Sequence, residues 1–334
     1  MQQIMSGEAT EAQMAGFMIG LRAKGETVDE ISGLVDVMLE HALKLTTGND
    51  AIDIVGTGGD LVGTFNVSSM ASILSAAAGI PVLKHGSRSA SGKTGSSEMF
   101  EVLGVNLDLT PDQVAEVFTK TGITFFFAPV FHPALRFAGP VRRQLGVPTT
   151  FNFLGPLANP AQPVATSLGV ANAEIAPLIA AEMAARGRTA LVFRGDDGLD
   201  ELTTTAKSRI WQVSGGVVRD FTLDPRDFGI PLVEVEALLG GDAEFNAQVA
   251  RDVFARNLNH ENAEYAGKIA AAIDIVRLNA AAGVVAYELA RDASRADVDL
   301  NLRFEDALAK VTLALESGAA EAKLSAWITA SQSA

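Results

Sequence analysis

Ile52-Asp53-Ile54-Val55-Gly56-Thr57-Gly58-Gly59-Asp60 runs from a short apolar strand straight into a glycine-rich loop. Asn66-Val67-Ser68-Ser69-Met70-Ala71-Ser72-Ile73 then opens a helix rich in alanine and serine, expected over residues 66–78. Strand, glycine loop and helix in succession are the grammar of a parallel sheet. Residues 80–83 predict a second strand, closed by Lys84-His85-Gly86. Further apolar runs at 124–127, 167–170 and 190–193 alternate with helical patterns, which predicts a mainly parallel sheet with helices on both faces. Residues 209–213 and 217–221, joined by Ser214-Gly215-Gly216, predict an antiparallel hairpin, and the chain beyond about Pro231 reads as mostly helical.

Upstream of this unit the pattern is purely helical. Thr27-Val28-Asp29-Glu30 has the spacing of a capping box, and Ile31, Leu34, Val35, Met38 and Leu39 follow as one apolar stripe. Met14, Phe17, Met18 and Leu21 predict a second stripe, and Thr46-Thr47-Gly48-Asn49-Asp50 ends the region. The fold class expected is therefore α/β: a small helical domain plus a larger domain with a mainly parallel central sheet flanked by helices.

The 334 residues carry a net charge of −14, which repels nucleic acid phosphates and leaves an anionic substrate dependent on a local cluster of donors. There is no cysteine, so disulfides and thiolate metal sites are excluded, and four histidines scattered over the chain do not suggest an imidazole zinc site. No run of about 18 uninterrupted apolar residues is present, and the first residues lack the pattern of a secretory signal. A cytoplasmic enzyme with no membrane or nucleic acid partner is the expectation.

Three segments carry the chemistry. Gly56-Thr57-Gly58-Gly59-Asp60 ends a buried strand, where glycines let backbone N–H groups approach an anion and the following helix adds the positive end of its dipole. The glycines alone fit a tight strand-to-helix turn equally well. The run from Lys84 to Ser97 is richer, with three cations, five serines and three glycines in 14 residues directly after a strand. Hydroxyls, amides and cations in that density suit phosphate. Asp196-Asp197-Gly198-Leu199-Asp200-Glu201 places four carboxylates at a strand end; alone it reads as a solvated turn capping a helix, but beside two phosphate-like loops it suits a hard divalent cation such as Mg²⁺. Arg142 and Arg143, with His132 and Arg136 upstream, fall on a helix predicted to begin at Pro133, where some of these charges are expected to face solvent.

Taken together, these segments resemble the anthranilate phosphoribosyltransferases, of the nucleoside phosphorylase/phosphoribosyltransferase-like fold. The resemblance rests on residues 53–60, Phe65-Asn66-Val67-Ser68-Ser69, Lys84-His85-Gly86 with its serine-rich continuation, His132-Pro133-Ala134, Pro140-Val141-Arg142, residues 151–160 and Gly198-Leu199-Asp200-Glu201, in order along nearly the whole chain. It implies transfer of the phosphoribosyl group of phosphoribosyl diphosphate to the amino group of anthranilate, a step of tryptophan biosynthesis. It also implies two Mg²⁺ ions and a homodimer formed through the helical domain. The domains would comprise residues 1–48 with about 133–158 (helical), and 49–132 with about 159–334 (α/β).

Residue by residue, the resemblance assigns the sugar diphosphate to Gly56, Gly59, Asp60, Thr64, Asn66, Val67, Ser68 and Ser69 in the first loop and helix. It continues through Lys84, His85, Gly86, Ser87, Arg88, Ser89, Ala90, Ser91, Gly92 and Ser96 in the second. Gly56, Ser87 and Arg142 would meet anthranilate, and Ser68, Asp200 and Glu201 would serve the metal. Lys84 and Arg142 are the expected catalytic residues, and His85 is given no proton-transfer role. Two positions depart from the family: Ser87 stands where Asn is usual, and Gly92 where Ser is common. The family also has a further helix before Met5-Ser6-Gly7-Glu8-Ala9-Thr10, which only four residues precede here, so either the start is misassigned or the helical domain is short of an element. Two alternatives share parts of this pattern. A pyrimidine nucleoside phosphorylase would need no acidic metal pair and would carry a Lys-His-Ser lead-in, and a nucleic-acid-binding relative would need a basic groove.

Overall fold

The computed structural model describes residues 1–45, 47–60, 62–88 and 94–334. It opens with α1 (Gln2–Met5), α2 (Glu11–Lys24) and α3 (Val28–Glu40). Both longer helices start at complete capping boxes, Thr10 with Gln13 and Thr27 with Glu30, which satisfy backbone donors that an N-terminus leaves free. The α3 stripe is buried as expected through Ile31, Leu34, Val35 and Met38. The α2 stripe is narrower than its spacing suggests: Met14, Met18 and Leu21 are buried, but Phe17 stands at the edge of the stripe and is 39% exposed.

The α/β part follows as β1 (Ile52–Gly56), α4 (Val67–Ala77), β2 (Val82–Gly86), α5 (Ser96–Leu103), α6 (Pro111–Thr121) and β3 (Ile123–Phe127). The chain continues with α7 (Ala128–Phe131), α8 (Gly139–Leu145), β4 (Ala165–Gly169), α9 (Ile175–Ala185), β5 (Thr189–Gly195), β6 (Ser208–Ser214) and β7 (Val217–Leu223). It ends in α10 (Ala243–Phe254), α11 (Ala263–Arg291), α12 (Leu300–Glu316) and α13 (Ala319–Gln332). The sheet order is β3-β2-β1-β4-β5-β6-β7, parallel from β3 to β5, with β6 and β7 antiparallel at the far edge as the predicted hairpin.

This order places the site. From β1 the chain winds one way to β2 and β3; β4 then pairs with the other edge of β1 and leads on to β5. The winding direction reverses between β1 and β4, and the loops leaving their carboxyl ends diverge to open a crevice. One face of the sheet is covered by a core that includes Ile54, Leu74, Val276 and Phe304. The other carries Leu168, Val192 and Trp211 in one cluster with α9, with Met38 of α3, with Val141 of α8 and with Phe151 in the 3-10 turn that follows. Helix α11 is long and apolar enough, at mean hydropathy 1.7, to cross a membrane by length and composition. It is instead the central core helix, mostly buried and pressed so close to β1 at Gly283 that a side chain there would meet Ile54.

Two local expectations change. Residues from Pro133 to Phe137 form a 3-10 turn, and the helix bearing Arg142 begins at Gly139, with Pro140 in its first turn where its missing N–H is harmless. The acidic run 196–201 caps no helix; it turns back into β6, and Asp197 accepts hydrogen bonds from the hydroxyls of Thr203 and Thr205.

Candidate active site

A cavity of about 620 Å³ lies over the carboxyl ends of β1 and β2. Its wall includes Gly56, Gly59, Asp60, Thr64, Asn66, Val67 and Ser68 from the first loop and helix. Lys84, His85, Gly86, Ser87, Arg88 and Ser96 come from the second, and Arg142, Asp200 and Glu201 from two distant stretches. Ser69 is not on the wall: it is fully buried one turn position further along α4, and its Oγ has no hydrogen-bond partner. Ser89, Ala90, Ser91 and Gly92 lie outside the described residues.

At the floor, Asp200 sits in the crevice between β1 and β4. Its Oδ2 accepts the backbone N–H of Gly58 at 2.7 Å. Gly58 and Gly59 both have positive φ, which turns successive backbone N–H groups toward one side in a way that bulkier residues resist. Glu201 faces the first turn of α4, where the Ser68 backbone N–H and the positive end of the helix dipole work to lower its proton affinity. Burial and the neighbouring Asp60 push Asp200 up to about 7, and burial and Asp200 hold Glu201 well above the usual carboxylate range. Three carboxylates thus face one another with too little positive charge among them.

That imbalance is the test of whether a cation suits the site. Hard oxygen donors in mutual repulsion fit Mg²⁺, which keeps several waters and takes only one or two carboxylates from a protein. Among the described residues no three acidic or imidazole side chains are gathered as a metal-ligand group, so a Mg²⁺ ion here would draw on one or two carboxylates and take its other oxygens from hydroxyl, substrate or water.

Lys84 lies beside this cluster on β2, almost wholly buried. Its Nζ donates to the Ile54 carbonyl at 2.5 Å and to Ser68 Oγ at 3.4 Å. Burial lowers it to about 8 against the pull of Asp53 and Glu201. Asp53 is fully buried and ties three segments together: Oδ1 accepts the His85 N–H at 3.2 Å, and Oδ2 accepts Asn159 Nδ2 at 2.8 Å. Asn159 donates also to the Leu83 carbonyl. Burial raises Asp53 to about 6.

His85 turns its ring away from the charged floor. Its Nδ1 meets the Gly155 carbonyl at 3.1 Å, so Nδ1 carries the proton and Nε2 is left buried and unpaired. Burial, with His132 edge-on at 5.1 Å, lowers it to about 3. The His85 ring is thus held neutral and weakly basic.

The far end of the cavity is apolar. Met38, Val55, Leu135, Phe151 and Pro156 line it, so α3 and the 3-10 segments after α8 close the site from the helical side. Arg142 enters there half-buried, and among the described residues no carboxylate comes within 4.0 Å of its guanidinium. Burial lowers its proton affinity. Arg143 next to it is exposed and outside the cavity. Sequence reasoning missed Gly169, Asn159 and the apolar wall. Gly169 had a signal, since it closes the β4 run as Gly56 closes β1.

A helical bundle capping an α/β unit, with a phosphate-type cavity at the reversal of strand order, defines a class. The chain matches both parts of the glycosyl transferase family, its helical bundle domain over residues 1–42 and its a/b domain over residues 48–321. An anthranilate phosphoribosyltransferase of Leifsonia xyli subsp. xyli is 53% identical over 332 residues, covering 99% of this chain and 92% of the relative. The crystal structure of the Thermus thermophilus anthranilate phosphoribosyltransferase superposes with a TM-score of 0.84 at 35% identity, covering 99% of this chain and 93% of that one. A Saccharomyces cerevisiae anthranilate phosphoribosyltransferase in complex with PRPP and Mg reaches 0.84 at 26% identity, covering 97% and 86%. The chain belongs to the anthranilate phosphoribosyltransferase family.

Proposed function

We propose that this chain transfers the phosphoribosyl group of phosphoribosyl diphosphate to anthranilate, releasing diphosphate, with Mg²⁺ held at Asp200, Glu201 and Ser68. The observation that carries the reading is one cavity with two unlike ends. The floor gathers Lys84, paired glycines, hydroxyls and unneutralised carboxylates, while the other end is apolar and holds a single guanidinium without a carboxylate partner. A sugar diphosphate fits the first end and a flat aromatic carboxylate the second.

In this arrangement Lys84, Asn66, Ser68, Ser96 and the backbone N–H groups of Gly59 and Asp60 bind the phosphates, with Arg88 and Ser87 at the rim. When bound, two Mg²⁺ ions would neutralise charge on the departing diphosphate. Arg142 holds the anthranilate carboxylate, and the apolar wall orients the ring so that its amine faces C1 of the ribose. The amine nitrogen forms the new bond to C1, the bond from C1 to the diphosphate oxygen breaks, and one amine proton is released to solvent. Positioning and electrostatics supply the rate. The test is stoichiometry: one diphosphate released per anthranilate consumed, and none without Mg²⁺.

The same reading divides the chain into a helical domain of residues 1–48 with about 133–158 and an α/β domain of 49–132 with about 159–334. It places a homodimer contact on α2, where Phe17 and Ile19 are 39% and 38% exposed. Sedimentation of Phe17→Glu should show monomer where the parent protein shows dimer. A cytoplasmic location with no nucleic acid partner accords with the charge of −14.

A further inference from the structure

Behind the phosphate end of the cavity, four residues from three segments close a ring of hydrogen bonds. Asn246, in the first turn of α10, is 1% exposed and does not line the cavity. Its Oδ1 accepts the Gly241 N–H at 2.9 Å, and its Nδ2 donates to Asn66 Oδ1 at 2.9 Å. Asn66 Nδ2 donates in turn to the Thr94 carbonyl at 3.1 Å, and Thr94 Oγ1 donates to the Gly241 carbonyl at 2.9 Å. Asn66 begins the first phosphate helix, and Thr94 stands two residues before α5, whose first residue Ser96 is also on the wall.

The polarity of the ring is forced. A backbone N–H can only donate and a carbonyl can only accept, so Gly241 fixes the orientation of the Asn246 amide and Thr94 fixes that of Asn66. Each amide uses one donor and one acceptor, and reversing either would set like against like. The ring is braced from outside: Lys268 Nζ donates to the carbonyls of Glu236, Ala237 and Leu239 at 3.0, 3.4 and 2.7 Å. The same stretch grips the first loop through the Gly240 N–H to the Gly63 carbonyl at 2.9 Å and the Phe65 N–H to the Leu238 carbonyl at 3.2 Å.

We infer that Asn246 is a positioning residue that locks the two phosphate-binding segments into register through Asn66 and Thr94, and so sets affinity for the sugar diphosphate without touching it. The inference rests on the reading that this end of the cavity takes phosphoribosyl diphosphate. Both Oδ1 and Nδ2 of Asn246 are engaged in the ring. Anthranilate binding at the opposite, apolar end does not depend on it.

The discriminating variant is Asn246→Asp, which keeps the shape and the bond from Gly241 but cannot donate to Asn66. Loss of one buried hydrogen bond in the support should raise the KM for phosphoribosyl diphosphate roughly ten-fold. The KM for anthranilate should stay close to that of the parent protein, while the melting temperature measured without ligands should fall, because a carboxylate is buried against Asn66 Oδ1. Asn246→Ala should show the same split, and Asn246→Asp combined with Thr94→Val should raise that KM by less than the product of the single effects, since both act on one ring. Equal rises in both KM values, a fall in kcat alone, or multiplying effects in the double variant would overturn the inference. Calorimetric titration with phosphoribosyl diphosphate and Mg²⁺ separates the two claims. If the parent protein binds it without converting anthranilate, the functional reading fails, while a ten-fold weaker Kd in Asn246→Asp still upholds the ring and an unchanged Kd refutes it.

Discussion

Gly56 and Gly169 stand opposite each other in register on the neighbouring parallel strands β1 and β4, and Asp200 occupies the space that side chains on either would need. A Cβ on Gly56 would lie 2.3 Å from Asp200 Oδ2, and one on Gly169 would lie 1.6 Å from the Asp200 carbonyl oxygen. The acidic loop therefore descends into the crevice between the strands because both strands end in glycine.

The two positions should respond differently. Gly169→Ala collides with backbone and should displace the whole Asp200–Glu201 turn, costing on the order of 3 kcal/mol and nearly all activity. Gly56→Ala meets the end of a side chain that can rotate, and should cost less stability. Urea unfolding of the two variants ranks them; a milder Gly169→Ala would mean that the turn is not seated as described.

The carboxylate cluster should trade stability for function. Asp200 is raised to about 7 from an ordinary 3.8, so the folded state holds its proton more tightly than the unfolded chain. Stability from this group is greatest at low pH and is lost as the pH climbs from about 4 through 7. At pH 8 without Mg²⁺, Asp200→Asn with Glu201→Gln should therefore raise stability. Turnover should vanish in the same protein. Thermal melting with and without Mg²⁺ and diphosphate checks both parts: the ligand-induced rise should be present in the parent protein and absent in the variant. Near-normal turnover in the variant would remove the metal assignment.

Arg142→Ala should raise the KM for anthranilate at least ten-fold, as expected for loss of a charge-assisted pair, and leave that for phosphoribosyl diphosphate within about two-fold. Initial rates with each substrate varied at saturation of the other read this directly. Equal effects on both would place Arg142 at the phosphate end instead. Ser87→Asn introduces the group that the family resemblance leads one to expect on the cavity wall, and the anthranilate contact proposed for this position predicts that any change falls on the KM for anthranilate.

His85 supplies the acid limb of stability. Its folded value of about 3 lies below the ordinary 6.5, so unfolding takes up a proton between those values. Stability is full above pH 6.5 and falls as the pH is lowered through that window. Between pH 7.5 and 5, His85→Asn should lose less stability than the parent protein, by about 1–2 kcal/mol. Urea midpoints at the two pH values measure it, and identical losses would mean that the ring is not held neutral by burial.

Much of the architecture was legible because strand-to-helix punctuation is local: residues 52–60 and 84–97 announce their strands, loops and helices within a few positions. The long-range joints were not. Nothing near Asp53 tells that its carboxylate bonds Asn159, 106 positions away, and Asn246 lies 180 positions from Asn66. Such contacts depend on strand order, which periodicity does not encode. The helix expected from Pro133 begins only at Gly139, because a proline starts a 3-10 turn as readily as an α-helix and five residues carry too little pattern to separate the two. The anthranilate end was legible only through family resemblance, since an apolar wall built from α3 and the segment after α8 has no linear motif.

In the proposed arrangement the two ends of one cavity hold phosphoribosyl diphosphate and anthranilate together. Anthranilate fluorescence is the most direct probe. With purified protein, phosphoribosyl diphosphate and Mg²⁺, the signal should decay at a rate proportional to enzyme, and chelating the metal should stop it. An unchanged signal under these conditions, with nucleoside cleavage by inorganic phosphate in its place, would contradict the account.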